Sequence, residues 1–371
     1  MIFAPASRSA IARGVALSIA AGASLLRPAG ASEAELAPLP GLIERDADFR
    51  ALPQRRPTVA TAFANGCEPP NPQVAWARLP STLRAVPLRE MIGQLLVVSY
   101  SGTALGAQGV EIARQALRRS EIGGVLTFRY NIESADDTRA VNALFEDAHP
   151  ILPAIVAIDQ EGGAVTRVKP SEGAPDTPAA DEIAEGTAAD ARKAYDAMAH
   201  SLADLGFTLN FGPVVDLDIN PKNPVIARFG RSYGAEPEVV EEFARTFIEA
   251  HHDYGLSTSL KHYPGHGSST ADSHQGAIDI SDTWNLRELE PFAELIADDL
   301  ADTVMVGHLE LAGVTGPGHL PASLSPVAIA TILRNTLCFG GLVISDDLAM
   351  DAIEHRWGTP EAVRLMIDAG G

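Results

Sequence analysis

Residues 154–163 read AIVAIDQEGG: five apolar residues, then a carboxylate, an amide, a second carboxylate and two glycines. The run is too short for a helix and lacks the polar alternation of a half-exposed strand, so it reads as a strand buried on both faces. The same grammar recurs along the chain in QLLVVSY (94–100), GGVLTF (123–128), LNFGPVVDL (209–217), STSLKHY (257–263), TVMVGHL (303–309) and GLVISDD (341–347). Between these runs lie stretches of helical length and pattern, such as PEVVEEFARTFIEAHHDYG and TPEAVRLMIDAG. Seven apolar strands alternating with helices predict parallel βα units. Polar residues gather at the C-terminal end of nearly every run, which fits a (β/α)₈ TIM-type barrel better than an open sheet with a single switch point. A closed barrel needs an eighth strand, and the sequence ends after its seventh helix at Gly371, so the expectation is an α/β barrel that ends before the last strand.

With 371 residues the chain has room for a barrel of about 250 residues and more. Its formal charge of −20 argues against nucleic acid or an anionic membrane surface as partner, since both would repel it; a neutral ligand fits better. Arg8 and Arg13 precede the thirteen-residue apolar run GVALSIAAGASLL, and Ala29-Gly30-Ala31 follows it. That is the layout of a secretory signal peptide over residues 1–31, and the run is shorter than the roughly 20 residues of a membrane-spanning helix. Its removal takes away three arginines and no acid, moving the formal charge from −20 to −23. Residues 32–87 are rich in proline and alanine and read as an irregular extension, which leaves 88–371 for the barrel. Cys67 and Cys338 stand 271 positions apart and suggest neither a disulfide framework nor a zinc site; Cys338 reads as a small buried residue.

The strand ends carry the chemistry. Asp159 leaves its strand beside Gly162 and Gly163, where a carboxylate can approach a ligand and accept hydrogen bonds from hydroxyls, and Arg167 follows on the same stretch. Another run ends at Asp216, ahead of the loop GRSYG with Arg231 between glycines. Lys261 and His262 sit at the tip of the fifth run and open the segment KHYPGHGSSTADSHQ (261–275). The sixth run closes on Gly307-His308, the seventh on Ser345-Asp346-Asp347. Histidines at 262, 266 and 274 invite a zinc reading, but Pro264, Gly265 and Gly267 remove the helix that would place an i, i+4 pair on one metal. A plain surface loop does not explain lysine and histidine directly after an apolar strand. The remaining reading is acid/base chemistry: in extended chain Asp272 and His274 point the same way, so the carboxylate can fix one ring nitrogen and leave the other to move a proton. Asp346 is the best placed nucleophile, by the covalent route of retaining glycosidases.

Taken together, IGQLLVVSYSG, GGVLTFRYNIES, AIDQEGGAVTRV, LNFGPVVDLDIN, GRSYG, KHYPGHGSSTADSHQ and GLVISDDLAMDAI resemble the barrel domain of family 3 glycoside hydrolases over about Leu88 to Gly371. Within that family they are most similar to bacterial β-N-acetylglucosaminidases of peptidoglycan recycling. The resemblance implies Asp346 as nucleophile, His274 paired with Asp272 as general acid/base, and Asp159, Arg167, Arg231, Lys261 and His262 as substrate contacts. It further implies a carbohydrate substrate, retention of configuration, and no metal or organic cofactor. Relatives with the same loop include phosphorylases, and other members of the family act on other sugars. A non-catalytic sugar-binding barrel and a metal-dependent barrel hydrolase complete the alternatives. The leader and the extension depart from the typical cytoplasmic member.

Overall fold

A computed structural model of the chain describes residues 66–67, 77, 79–150, 152–272, 276, 278–316 and 319–371. Seven strands, β1 (Val97–Ser99), β2 (Gly124–Thr127), β3 (Ile155–Ile158), β4 (Leu209–Asn210), β5 (Ser257–Tyr263), β7 (Thr303–Val306) and β9 (Leu342–Ser345), form one sheet. The two short strands β6 (Ile278–Asp279) and β8 (Leu309–Glu310) pair apart from it. The order β1-β2-β3-β4-β5-β7-β9 follows the chain and every pairing is parallel. A doubly wound sheet reverses its order at a switch point; this one never does, and the curled sheet is a TIM-type barrel with seven strands among the described residues. β1 and β9 are its edges.

The apolar runs form strands because both of their faces are covered. Leu126, Ile155, Ala157, Leu209, Phe211, Met305 and Ile344 pack together from five strands as the filling of the barrel. The alternate residues Val125, Val156, Ile158, Val304, Val306 and Val343 join the larger core beneath the helices. Helices Gln108–Arg118, Ala135–Glu146, Ala188–Asp204, Pro237–Asp253 and Glu290–Ala297, and the π-helical segment Val327–Thr336, provide the crossovers; Thr359–Asp368 follows β9. Their starts are marked in the sequence: Ser134 accepts from the Asp137 N–H and Thr187 from the Asp190 N–H, each satisfying a backbone donor that the first helical turn leaves open. The fourth run is less regular than its composition suggests. Only Leu209–Asn210 joins the sheet, the Gly212–Pro213 peptide is cis, and a single bridge at Val214 to Lys261 resumes the pairing. Proline offers the ladder no donor, which ends the strand early.

The cysteine expectation is overturned. Cys67 and Cys338 form a disulfide with Cα atoms 5.6 Å apart, and Cys338 is exposed, at the left-handed φ of 64°. Distance along the sequence carries no information here, because the fold brings the extension to the segment that precedes β9; the Cys67 N–H also donates to the Asn335 carbonyl. Such a crosslink typically stabilises by about 2–4 kcal/mol, so reduction should lower the melting temperature by about 5 °C. Calorimetry with and without a phosphine reductant checks this: Cys338→Ser should melt low and ignore the reductant, and a wild type that also ignores it would refute the stabilising role.

A second stability feature lies under the turn that follows β5. Gly265 has φ of +122°, and a Cβ there would meet the Glu288 Cβ at 2.6 Å, so the turn closes directly onto this acid. Burial raises the Glu288 carboxyl to about 7, against hydrogen bonds from the backbone of Ser268 and Asn285 that favour its charge. Since its folded value lies above its unfolded one, the native state holds the extra proton, and stability must fall as pH rises from about 4.5 to about 7. The shift corresponds to roughly 3 kcal/mol. Glu288→Gln should therefore gain stability relative to wild type between pH 5 and pH 8; parallel melting curves of the two proteins over that range would contradict it.

Candidate active site

The loop after β3 is shaped by one amide. Gln160 is fully buried; its side-chain oxygen accepts from the N–H groups of Arg167 and Val168, and its nitrogen donates to the Val168 carbonyl. This folds residues 160–168 back on themselves and returns Arg167 to Asp159, 3.8 Å away. Gly162, at φ of +103°, permits the fold, since a Cβ there would lie 2.4 Å from the Pro178 carbonyl oxygen. Arg167 also lies over the Phe128 ring at 5.8 Å.

Asp159 and Glu161 project to the same side, as i and i+2 do in extended chain, and there they meet Lys261 from β5. Its Nζ lies 2.9 Å from Asp159 Oδ1 and 2.6 Å from Glu161 Oε1, with only 2 % of the side chain exposed. Arg231 closes the cluster through paired hydrogen bonds of 2.8 Å each to the two oxygens of Glu161. Burial by itself would raise the Glu161 carboxyl, but the charges of Arg231 and Lys261 outweigh it and hold Glu161 well below the usual carboxylate range. The same balance works in reverse on Lys261: burial pulls its ammonium down, and Asp159 and Glu161 more than restore it.

The histidine side is organised by Asp216, which is fully buried. Its Oδ1 accepts the N–H of His262 at 3.1 Å and of His266 at 2.7 Å, while Oδ2 accepts from His262 Nδ1 at 2.7 Å. With the proton on Nδ1, His262 turns Nε2 toward Arg231, 3.4 Å away. Burial would raise the Asp216 carboxyl, yet His262 and His266 carry it below its ordinary value. The β5 register slips between Leu260 and Tyr263, and the consecutive side chains of Lys261 and His262 reach different acids, Asp159 and Glu161 for the first and Asp216 for the second. Asn223 then fastens the following turn by donating to the carbonyls of His266 and Gly267.

Asp346 follows β9, four strands along the sheet from β3. Its N–H donates to the Val306 carbonyl at 3.0 Å, one of its carboxylate oxygens accepts the Asp347 N–H at 2.8 Å, and the side chain is half-buried. Asp272 is half-buried at the start of the polar loop. Ser273, His274 and Gln275 lie outside the described residues, and so does the expected Asp272–His274 dyad. Of the residues expected from sequence, the fold thus brings Asp159, Arg167, Arg231, Lys261 and His262 into one cluster. Glu161 and Asp216 are the members that sequence reasoning left out of the site. Glu161 could have been found from its i, i+2 relation to Asp159, and Asp216 from its place at the end of an apolar run.

His266, second of the histidines that suggested zinc, is committed elsewhere. Its Nδ1 bonds Ser269 Oγ at 2.8 Å, and burial, with His262 nearby, pushes its imidazole down to about 4, so it is neutral at pH 7. Among the described residues no group of three histidines, cysteines or acids is arranged to hold a metal ion. Around the cluster, three carboxylates (Asp159, Glu161, Asp216) face three cations (Arg167, Arg231, Lys261). Such a charge-balanced site suits an uncharged ligand rich in hydroxyls.

Known proteins share this framework. A β-hexosaminidase of Stenotrophomonas maltophilia is 34% identical over 286 residues, covering 74% of this chain and 81% of the relative. The β-hexosaminidase LpqI of Mycobacterium tuberculosis is 33% identical over 303 residues, 76% of this chain and 71% of its own. Among solved structures, a family 3 β-N-acetylglucosaminidase from Paenibacillus superposes with a TM-score of 0.71 at 32% identity, covering 77% of this chain and 54% of that longer one. The M. tuberculosis LpqI structure gives 0.67 at 32% identity, covering 77% and 81%. The profile of the glycosyl hydrolase family 3 N-terminal domain matches residues 87–371, and the chain belongs to that family.

Proposed function

We propose that the protein is an exported, retaining, exo-acting β-N-acetylglucosaminidase that removes terminal N-acetylglucosamine from peptidoglycan fragments or related oligosaccharides. The observation that carries the reading is the buried, charge-balanced cluster of Asp159, Glu161, Arg231, Lys261 and His262 on the same barrel rim as Asp346. Relatives named β-hexosaminidase support the sugar. In the first step Asp346 attacks the anomeric carbon and His274, oriented by Asp272, gives its proton to the departing glycosidic oxygen. In the second, His274 takes a proton from water as its oxygen attacks the same carbon, and the Asp346 carboxylate leaves. Asp159, Lys261, Arg231 and His262 hold the hydroxyls of the sugar, and Arg167 flanks Asp159.

Export is the second part of the proposal. It rests on the leader-like residues 1–31 and on the Cys67–Cys338 disulfide, a bond that persists in oxidising compartments and is rare in the cytosol. No helix among the described residues is long and apolar enough to cross a membrane.

Turnover of an aryl N-acetylglucosaminide, followed with and without phosphate, tests the reaction. Release of free N-acetylglucosamine with its β-configuration first is the expected product; the sugar 1-phosphate would point to a phosphorylase instead, and no turnover to a binding protein. Asp346→Ala should lower kcat by a factor on the order of 10⁴. Added azide should then give the glycosyl azide of opposite configuration to the wild-type product, and wild-type rates in this variant would remove Asp346 from its role. His274→Ala should slow natural oligosaccharides by about 10²–10⁴ and activated aryl leaving groups far less, because only poor leaving groups need the proton. Equal slowing of both would contradict the acid assignment.

A further inference from the structure

We propose that His308 is a positioning residue for the nucleophile, an inference that rests on the assignment of Asp346 above. His308 sits just past β7, only 1 % exposed, next to β9, the strand that Asp346 follows. Its Nε2 lies 2.9 Å from the carbonyl oxygen of Asp347, and its Nδ1 lies 2.7 Å from Ser323 Oγ. A carbonyl can only accept, so the proton is on Nε2, and in the neutral ring Nδ1 accepts from the Ser323 hydroxyl. Ser323 is tied to the same segment, its N–H donating to the Gly307 carbonyl at 3.3 Å.

The consequence concerns the Asp346 carboxylate. One of its oxygens accepts the Asp347 N–H, so its orientation follows the backbone of residue 347. That backbone is pinned at both ends: the Asp346 N–H by the Val306 carbonyl of β7, and the Asp347 carbonyl by His308. The chain after His308 continues into β8, which pairs with β6 immediately beyond the loop of Asp272 and His274. One short segment, residues 306–310, therefore touches both the backbone that carries Asp346 and the strand β6. In-line attack tolerates little error, and a displacement of about 1 Å can cost about 100-fold in rate.

The test is kinetic, on an aryl N-acetylglucosaminide, with melting temperatures measured in parallel. His308→Leu, which removes the donor, should lower kcat about 30- to 100-fold with KM changed less than about threefold. His308→Gln, whose amide can still donate to the Asp347 carbonyl, should stay within about fivefold of wild type. Ser323→Ala, which frees the ring plane, should lower kcat about fivefold at unchanged KM, and it decides the matter if His308→Leu does not fold. A folded His308→Leu with wild-type kcat would overturn the proposal, as would a native-melting His308→Gln as slow as His308→Leu, or losses confined to KM. Wild-type protein without turnover would overturn the functional reading itself, whereas an active wild type beside an unaffected His308→Leu overturns only the role of His308.

Discussion

The contact on which the rest of the site depends is that of Lys261 with Asp159 and Glu161. An ammonium group brought to the barrel interior at 2 % exposure loses its hydration, a penalty of several kcal/mol that only close, well-directed acids can offset. Two carboxylates on one lysine would in turn leave excess negative charge, and Arg231 answers it with its paired bonds to Glu161. Each partner is therefore a condition for the next. Removing one would leave buried charge without compensation, which costs more than the pair itself contributes. The backbone around the cluster follows from this need. Gln160 folds the loop back, and Gly162 lets that loop pass against Pro178.

Asp216 imposes a comparable order on the histidines. A single carboxylate accepts two backbone N–H groups and one imidazole, so the strand tip, the turn and the ring of His262 are fixed by one residue. Low dielectric strengthens each of these bonds and makes each unpaired alternative expensive. The two networks meet where Arg231 faces His262, so one continuous set of buried hydrogen bonds and ion pairs spans the cluster. Such preorganisation has a use: hydrogen bonds that need no rearrangement when a ligand arrives can be spent on orienting it.

How much of this could be read from the sequence depended on whether the information was local. All seven apolar runs became strands, because burial on both faces leaves a local mark in composition. Within the fourth run, Pro213 shortened the strand to Leu209–Asn210, a limit the apolar count alone does not reveal. The ends of the runs named most of the cluster, since a polar residue on a barrel rim stands out against an apolar strand. Glu161 and Asp216 stood out less because their partners come from other strands: an acid held by Lys261 and Arg231 is indistinguishable in sequence from an acid in water. The disulfide was illegible for the same reason. Cys67 and Cys338 are neighbours only after the barrel has formed, and their separation of 271 residues suggested the reverse.

The chemistry is confined to one end of the barrel, while contacts that only stabilise occur at both, Glu288 lying under the turn after β5. At the N-terminal end, Asp302 binds His252 and the backbone of Thr258, Arg334 caps the carbonyls of Phe339 and Gly341, and the disulfide joins the extension just before β9. Asp346, Lys261, His262 and Asp159 all stand at the other end. Barrels gather chemistry at this rim because its loops can vary without disturbing the packed strands beneath. The charge balance at that end also bears on which ligands the site admits. Arg231 and Lys261 are cations in formal charge, yet Glu161 and Asp159 already neutralise them, and the protein around them carries a charge of −20. A phosphate anion entering this site would meet paired cations and a negative field, whereas water meets neither obstacle.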